Sequence, residues 1–183
     1  ITGYIKSEEG DHITIDWTGV IEGMNLVGGD EPENPTDGTY FNFVSANVCW
    51  MGSYGWQDFQ IAFTDANGVV LTCDFYACTQ YETNYLPSGE YLVNADYNCV
   101  YTDSYSFIDL NDGGPLQDLQ GGKVIVEEVD GQYKFTFENV TYGAELKSFN
   151  GVFVGQVGST AEGVGGMVVP SEYKEPEISD EVT

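Results

Sequence analysis

Three aromatic residues lie close together in the segment CWMGSYGW at positions 49–56, namely Trp50, Tyr54 and Trp56. Indole and phenol rings stack on the apolar C–H faces of sugars, and aromatic side chains line many ligand sites. The same rings are also able to close a hydrophobic core at the ends of strands. The segment therefore predicts either a glycan-stacking platform or the edge of a core, and the solvent exposure of Trp50 and Trp56 distinguishes the two.

The sequence gives little support to a catalytic role. His12 is the only histidine and stands beside Asp11 in a predicted turn, where it is more often an exposed residue than a base. Glu127 and Glu128 are adjacent on a predicted strand and point to opposite faces, whereas a glycosidase needs two carboxyl groups facing each other. We therefore predict a protein that is not an enzyme and has no cofactor, with a glycan-active hydrolase as the least favoured class.

The segment DLNDGG at residues 109–114 begins like a calcium loop, with Asp109, Asn111 and Asp112 as weak candidate ligands. The fifth position is Gly instead of Asp or Asn, and no Glu follows at the twelfth position. An ordinary polar turn explains the segment better, so we expect no metal here.

The chain has four cysteines, Cys49, Cys73, Cys78 and Cys99. An even number permits disulfides, but the spacing matches no known framework, and Cys73 and Cys78 have opposite strand parity. A zinc knuckle needs paired CxxC spacing, which Cys73 and Cys78 lack. We predict no zinc site and at most one disulfide, with free buried thiols as the favoured state.

The chain is strongly acidic, because five Lys plus Arg against 30 Asp plus Glu give a formal net charge of −25. Phosphates and anionic lipids repel such a polyanion, so we predict no nucleic-acid partner and no binding to an anionic membrane surface. Solubility outside the cell explains the charge, and a site for divalent cations or cationic ligands is the alternative. Without a signal peptide or a membrane-spanning apolar run, the chain is interpreted as a mature or trimmed fragment.

Alternation of apolar and polar residues predicts antiparallel strands, each buried on one face. The apolar sets on one face are Ile13, Ile15 and Trp17; Phe59, Ile61 and Phe63; and Tyr133, Phe135 and Phe137. Turns at Asn67-Gly68, Asp130-Gly131 and Pro87-Ser88-Gly89 separate the strands. We predict an all-β, hairpin-rich antiparallel β-sandwich, immunoglobulin-like or jelly-roll-like, with a barrel as the alternative.

Composition divides the chain further. Residues 29–37 predict an acidic linker or loop rich in Pro and Gly, and residues 38–157 predict the sandwich domain. Residues 158–183 predict a Gly-rich and then acidic tail, with at most one strand near Gly166–Val169. Residues 1–28 predict a hairpin similar to the sequence 120 positions further on, so we interpret them as the tail of a preceding repeat unit. At this offset Val20, Gly23 and Leu26 meet Val140, Gly143 and Leu146.

The turn and core pattern of residues 38–157 resembles the β-sandwich repeats of uncharacterised secreted or surface lipoproteins of gut Bacteroidetes. The residues that carry the resemblance are Leu86, Pro87, Gly89 and Tyr91; Gly122, Val124, Gly131, Tyr133, Phe135 and Phe137; and Gly151, Phe153 and Gly155. The resemblance implies export and attachment to the outer membrane through a lipid on a cysteine upstream of this chain. It implies no catalytic residue.

These observations predict a non-catalytic secreted or cell-surface module for binding or adhesion, with a glycan or a surface protein as partner. A rigid β-domain with variable loops suits such a role. The alternative is a purely structural spacer or assembly subunit of a surface protein, in which the aromatic residues of 50–56 belong to the core.

Overall fold

The computed structural model describes residues 2–6, 12–16, 39–53, 57–77 and 84–172. The chain divides into two compact units, residues 1–33 and 34–183. The predicted acidic linker at 29–37, Tyr54, Trp56, Cys78 and the last eleven residues lie outside the described residues. No helix among the described residues has the length and apolar character needed to cross a membrane.

The first unit contains an antiparallel hairpin of β1 (Thr2–Lys6) and β2 (His12–Asp16). A hairpin within residues 1–28 is therefore present. Ile5 pairs with Ile13, whereas Ile125, 120 positions further on, pairs with Thr136. The two hairpins thus have different registers, and the interpretation as a repeat stays a prediction.

The second unit is built from strands, with a single 3₁₀ turn at Pro170–Glu172 in its described part. The strands are β3 (Thr39–Ser53), β4 (Gln57–Asp65), β5 (Val70–Ala77), β6 (Gly89–Asn94), β7 (Cys99–Tyr101), β8 (Phe107–Asp109), β9 (Gln117–Val129), β10 (Gln132–Tyr142), β11 (Lys147–Gly155) and β12 (Val157–Ser159). Most neighbouring strands are antiparallel, and the prediction of an all-β fold is confirmed.

The sheet of the second unit closes on itself into an eight-stranded barrel in the order β3-β4-β5-β7-β6-β9-β10-β11. Parallel pairing of β11 with β3 completes the ring, and β12 continues along β3 in the same direction. We predicted a sandwich of two sheets, and the continuous closed sheet differs from it. Bulges in β3 between Val48 and Trp50 and in β10 between Glu138 and Thr141 give the local bends that closure needs.

The barrel interior is filled by the aromatic and branched residues that alternation predicted. Phe59, Ile61 and Phe63 on β4 are fully buried, and Phe135 on β10 is also fully buried. The ring of Phe63 lies 4.9 Å from that of Phe135, in an edge-to-face arrangement. Such pairs add to the free energy that area burial alone provides. The core is thus a connected set of rings that crosses the barrel.

Two predicted turns have the backbone that their sequences favour. Asp130 and Gly131 have φ values of 51° and 71° between β9 and β10, as a two-residue hairpin with both central residues left-handed requires. Between β4 and β5, the Asp65 carboxylate accepts hydrogen bonds from the backbone N–H groups of Asn67 and Val69, both at 2.8 Å. Local turn chemistry therefore fixes the register of these hairpins.

The segment after β11 is described as far as Glu172, and part of it packs against the barrel. Ordered packing therefore extends beyond the boundary predicted at residue 157. The later strand lies at β12, whereas Gly166–Val169 forms no strand. Met167 and Val169 are nevertheless buried in the core. The Met167 N–H donates to the Val157 carbonyl at 2.9 Å. This part of the predicted tail therefore belongs to the folded unit.

Tyr133 connects this segment to the barrel. Its buried hydroxyl accepts a hydrogen bond from the Leu86 N–H at 2.9 Å and donates to the Val168 carbonyl at 2.7 Å. Tyr133→Phe should lower the free energy of unfolding by about 1–3 kcal/mol, because it leaves a buried donor and acceptor without this partner. Urea denaturation measures the change.

Tyr91→Phe is the matched control for that variant. It removes the hydrogen bond of 2.8 Å from the Tyr91 hydroxyl to the Pro87 carbonyl, which is partly open to solvent. We expect a loss of about 1 kcal/mol or less. Equal losses in the two variants would contradict the special role of the Tyr133 hydroxyl.

Candidate functional site

The outer face of β3, β4 and β5 carries a group of polar and aromatic residues. Phe59 and Ile61 point into the core, so Asp58 and Gln60 point outward from β4. Strand pairing sets Gln60 opposite Asp74 on β5 and opposite Trp50 on β3. Asp58 lies opposite Tyr76 in the next row. Cross-strand pairing therefore places five side chains with hydrogen-bonding or aromatic groups on one face.

The segment 95–106 borders this face and completes a pocket on it. Its strand β7 pairs with β5, with Cys99 opposite Tyr76. The Asp74 N–H donates to the Ser106 hydroxyl at 2.9 Å, and that hydroxyl donates to the Tyr101 carbonyl at 2.6 Å. The Gln60 side-chain amide donates to the Tyr105 carbonyl at 3.3 Å. These hydrogen bonds hold the segment against β4 and β5.

The resulting pocket has a volume of about 630 Å³, within the range of small-molecule sites. Its lining is mainly aromatic and acidic, and consists of Trp50, Asp58, Gln60, Asp74, Tyr76, Ala95, Asp96, Tyr97, Tyr101 and Tyr105. The Tyr76 ring lies 5.8 Å from the Tyr97 ring and 6.4 Å from the Tyr101 ring. The aromatic rings therefore form a continuous part of the wall.

Trp50 is held in a defined position on this wall. It is 39% exposed, and its indole ring lies over Gly52. A Cβ atom added to Gly52 would be 2.1 Å from Trp50 Cη2. Only glycine at position 52 leaves space for the ring in this orientation. Because Gly52 has no side chain, the indole ring can take the position in which it lines the pocket.

Two buried carboxyl groups also line the pocket. Asp58 is 7% exposed and Asp74 is 4% exposed, and their side chains are hydrogen-bonded to each other. Burial raises the pKa of Asp58. Burial, followed by the hydrogen bond and the charge of Asp58, raises the pKa of Asp74 to about 8. At neutral pH Asp74 therefore keeps its proton, which its hydrogen bond shares with Asp58.

The pocket lining includes no cationic side chain. Lys123, Lys134 and Lys147, the lysines whose side chains the structure describes, form ion pairs with glutamates outside the pocket. Lys123 Nζ lies 2.8 Å from Glu90 Oε2 and 3.1 Å from Glu138 Oε2. The charge of the acidic pair is thus not balanced by a described lysine.

The two carboxyl groups do not have the geometry of a glycosidase. Carboxyl groups that are hydrogen-bonded to each other are closer than the roughly 5–5.5 Å of retaining glycosidases and leave no space for a sugar between them. In the part of the chain with described side chains, no group of three or more His, Cys, Asp or Glu residues is arranged to hold a metal ion.

The sequence prediction found part of this site. Trp50 lines the pocket, whereas Tyr54 and Trp56 lie outside the described residues. Prediction missed the acidic pair and the four tyrosines of the lining. One signal was available, because Asp58 and Asp74 stand within strands, where Asp is disfavoured.

The weak calcium candidates are used within their own turn. The Asp109 carboxylate accepts the Asn111 N–H at 2.9 Å, and the Asp112 carboxylate accepts the Gly114 N–H at 2.8 Å. The Asn111 side-chain amide donates to the Asn67 carbonyl at 3.0 Å. These contacts are those of a polar turn that joins two loops.

Cys49, Cys73 and Cys99 are free thiols, and Cys73 and Cys99 are buried. Burial raises the pKa of Cys73 well above its usual value and that of Cys99 to about 11, because the thiolate is disfavoured away from water. At pH 8 the folded protein should therefore react with a thiol reagent much more slowly at these two positions than the unfolded chain.

Thiol counting in the absence of reductant tests this. We expect at least three reactive thiols after unfolding in guanidinium. Fast reaction of Cys73 in the folded protein, identified by mass spectrometry, would contradict its burial.

The chain is thus an all-β protein whose closed sheet carries an aromatic, acidic pocket on its outer face. No family model matches the sequence, and no curated protein or solved structure does so either.

Proposed function

We propose that this protein is a non-catalytic surface module that binds a glycan in the pocket between the β3–β5 sheet and segment 95–106. The observation that carries the proposal is the position of Trp50, partly exposed on the pocket wall and adjacent to a set of tyrosines. A tryptophan in the core would have favoured a purely structural role.

The chemistry of the lining supports a sugar ligand. The rings of Trp50, Tyr76 and Tyr97 offer apolar faces for the C–H surfaces of a pyranose. Asp58, Asp74 and Gln60 offer oxygen atoms that accept hydrogen bonds from hydroxyl groups. A pocket of about 630 Å³ has space for one or two sugar rings. An aromatic wall beside a few fixed polar groups is the usual composition of a small-molecule site.

Export and attachment to the cell surface are part of the same proposal. They rest on the acidic charge and on the resemblance to β-sandwich repeats of surface lipoproteins. Here a closed sheet takes the place of the sandwich as the rigid support for the binding loops. A membrane contact would then occur only through a lipid anchor upstream of this chain.

A glycan array followed by titration calorimetry tests the binding. Trp50→Ala should weaken binding of any glycan found by about tenfold or more, because the stacking surface is removed. Gly52→Val should weaken it as well, since the new side chain displaces the indole.

Tyr40→Ala is the matched control, since Tyr40 is an exposed aromatic residue of the same strand outside the pocket. Binding unchanged in Trp50→Ala would place the ligand elsewhere. Absence of binding to any glycan would favour the structural spacer, and release of sugar from a bound glycan would favour the hydrolase.

A further inference from the structure

The buried acidic pair offers more than acceptors for hydroxyl groups. The Oδ1 atoms of Asp58 and Asp74 have no hydrogen-bond partner among the described residues. A buried carboxyl oxygen without a donor does not recover the free energy lost when it leaves water. Both carboxyl groups line the pocket, so a ligand there can supply the donors that the described residues do not. A ligand that brings several donors would satisfy both.

The charge and the rings around the pair point to the same kind of donor. A cation gains from the negative face of an aromatic ring, most strongly with tryptophan. Trp50, Tyr76, Tyr97 and Tyr101 line the same pocket as the pair, and Asp96 adds a third carboxylate to the lining. Lys123, Lys134 and Lys147, the lysines whose side chains the structure describes, form ion pairs elsewhere and do not neutralise these carboxylates.

We propose that the pocket binds a primary ammonium group, carried by an amino sugar with a free amine. The sugar part rests on the proposed glycan-binding function, whereas the ammonium part rests on the acidic pair and the rings alone. A primary ammonium group has three N–H donors on one positive centre, enough for both Oδ1 atoms. A quaternary ammonium group has no donor, and an N-acetylated amine has no charge, so neither meets both requirements.

Calorimetric titration of the purified chain with four probes at pH 6 tests the proposal. The probes are a glucosamine tetrasaccharide, its fully N-acetylated counterpart, propylammonium and tetramethylammonium chloride. We expect the free-amine tetrasaccharide to bind about tenfold or more tightly than the acetylated one, because charged donors are worth more than neutral ones. Propylammonium should compete with it, and tetramethylammonium should compete much less.

Substitutions test whether Asp58 and Asp74 cause the tighter binding of the free-amine tetrasaccharide. The double variant Asp58→Asn/Asp74→Asn should weaken binding of the free-amine tetrasaccharide by about tenfold or more, because it leaves the pocket without the charge of the pair. Glu162→Gln removes the same charge from an exposed residue outside the pocket and should leave binding unchanged. Circular dichroism establishes that each variant is folded, and the comparison of probes on the unaltered chain does not depend on any variant.

Equal binding of the two tetrasaccharides would overturn the ammonium assignment and leave the glycan-binding function in place. Binding of propylammonium without either tetrasaccharide would support the ammonium site and contradict the glycan function. Binding of no probe would overturn the ammonium site.

Discussion

Asp74→Asn should make the protein more stable than the unaltered chain at pH 9. The variant should also lose much less stability than the unaltered chain between pH 5 and pH 9. The pKa of Asp74 is raised to about 8 in the folded protein, first by burial and then by the hydrogen bond and charge of Asp58. A folded-state pKa above the unfolded value means that the folded state binds the proton more tightly. The stabilisation is complete below about pH 4 and is lost as the pH rises through 8.

The expected difference is roughly 2–4 kcal/mol in the free energy of unfolding between pH 5 and pH 9, at up to about 1.4 kcal/mol for each pH unit. Asn keeps the shape of the protonated carboxyl group and carries no charge at either pH. Urea denaturation at both pH values measures the difference.

The thiols near Asp74 add to this loss. Burial raises the pKa values of Cys49 and Cys99, so these residues contribute a further loss of stability near pH 9 that the Asp74→Asn variant keeps. Glu162→Gln is the control, because water screens the charge of this exposed residue. A stability profile of Asp74→Asn parallel to that of the unaltered chain would contradict the shared-proton pair.

Gly122→Ala should be among the most destabilising small substitutions in the barrel, at about 3 kcal/mol or more. Gly122 lies opposite the bulge of β10 and has a φ of 97°. An added Cβ would lie 2.4 Å from the Asn139 carbonyl oxygen and 2.6 Å from Val140 Cα. Both contacts are with backbone, which cannot move aside without breaking the pairing of β9 and β10. Thermal and urea denaturation measure the loss.

Gly131→Ala separates the cost of the left-handed backbone from the cost of the close contact between the added Cβ and the backbone. Gly131 has a φ of 71°, but an added Cβ would have no neighbour within 4 Å. The cost should therefore be that of the left-handed backbone alone, about 1–2 kcal/mol. If Gly122→Ala cost no more than Gly131→Ala, close backbone approach at the bulge would not be the reason for glycine there.

Sequence patterns predicted the strands and the turns well because both have local causes. Alternation identified the buried faces of β4 and β10, and Asp130-Gly131 predicted its hairpin from the backbone that these residues tolerate. Closure of the sheet could not be predicted in the same way. A strand in a sandwich and a strand in a barrel alternate alike, and the parallel pairing of β11 with β3 joins residues more than a hundred positions apart.

The pocket was harder to predict than the fold for a related reason. Trp50 was identified because it stands in a short aromatic cluster with Tyr54 and Trp56. Asp58, Asp74 and Tyr97 come from three separate segments, and only strand register and the hydrogen bonds of Ser106 bring them together. Tyr97 looks like an ordinary surface residue in the sequence, and only their place within strands distinguishes the two aspartates.

The parallel pairing of β11 with β3 also determines when the domain can fold. Phe149 pairs with Thr39 and Val152 with Asn42, and β12 adds Val157 opposite Ala46. The first strand of the barrel, β3, thus pairs with the last strands, β11 and β12. A growing chain therefore cannot complete the sheet until residues near 159 have left the ribosome. Such non-local pairing predicts slow folding, and the edge of β3 stays open to other chains until closure.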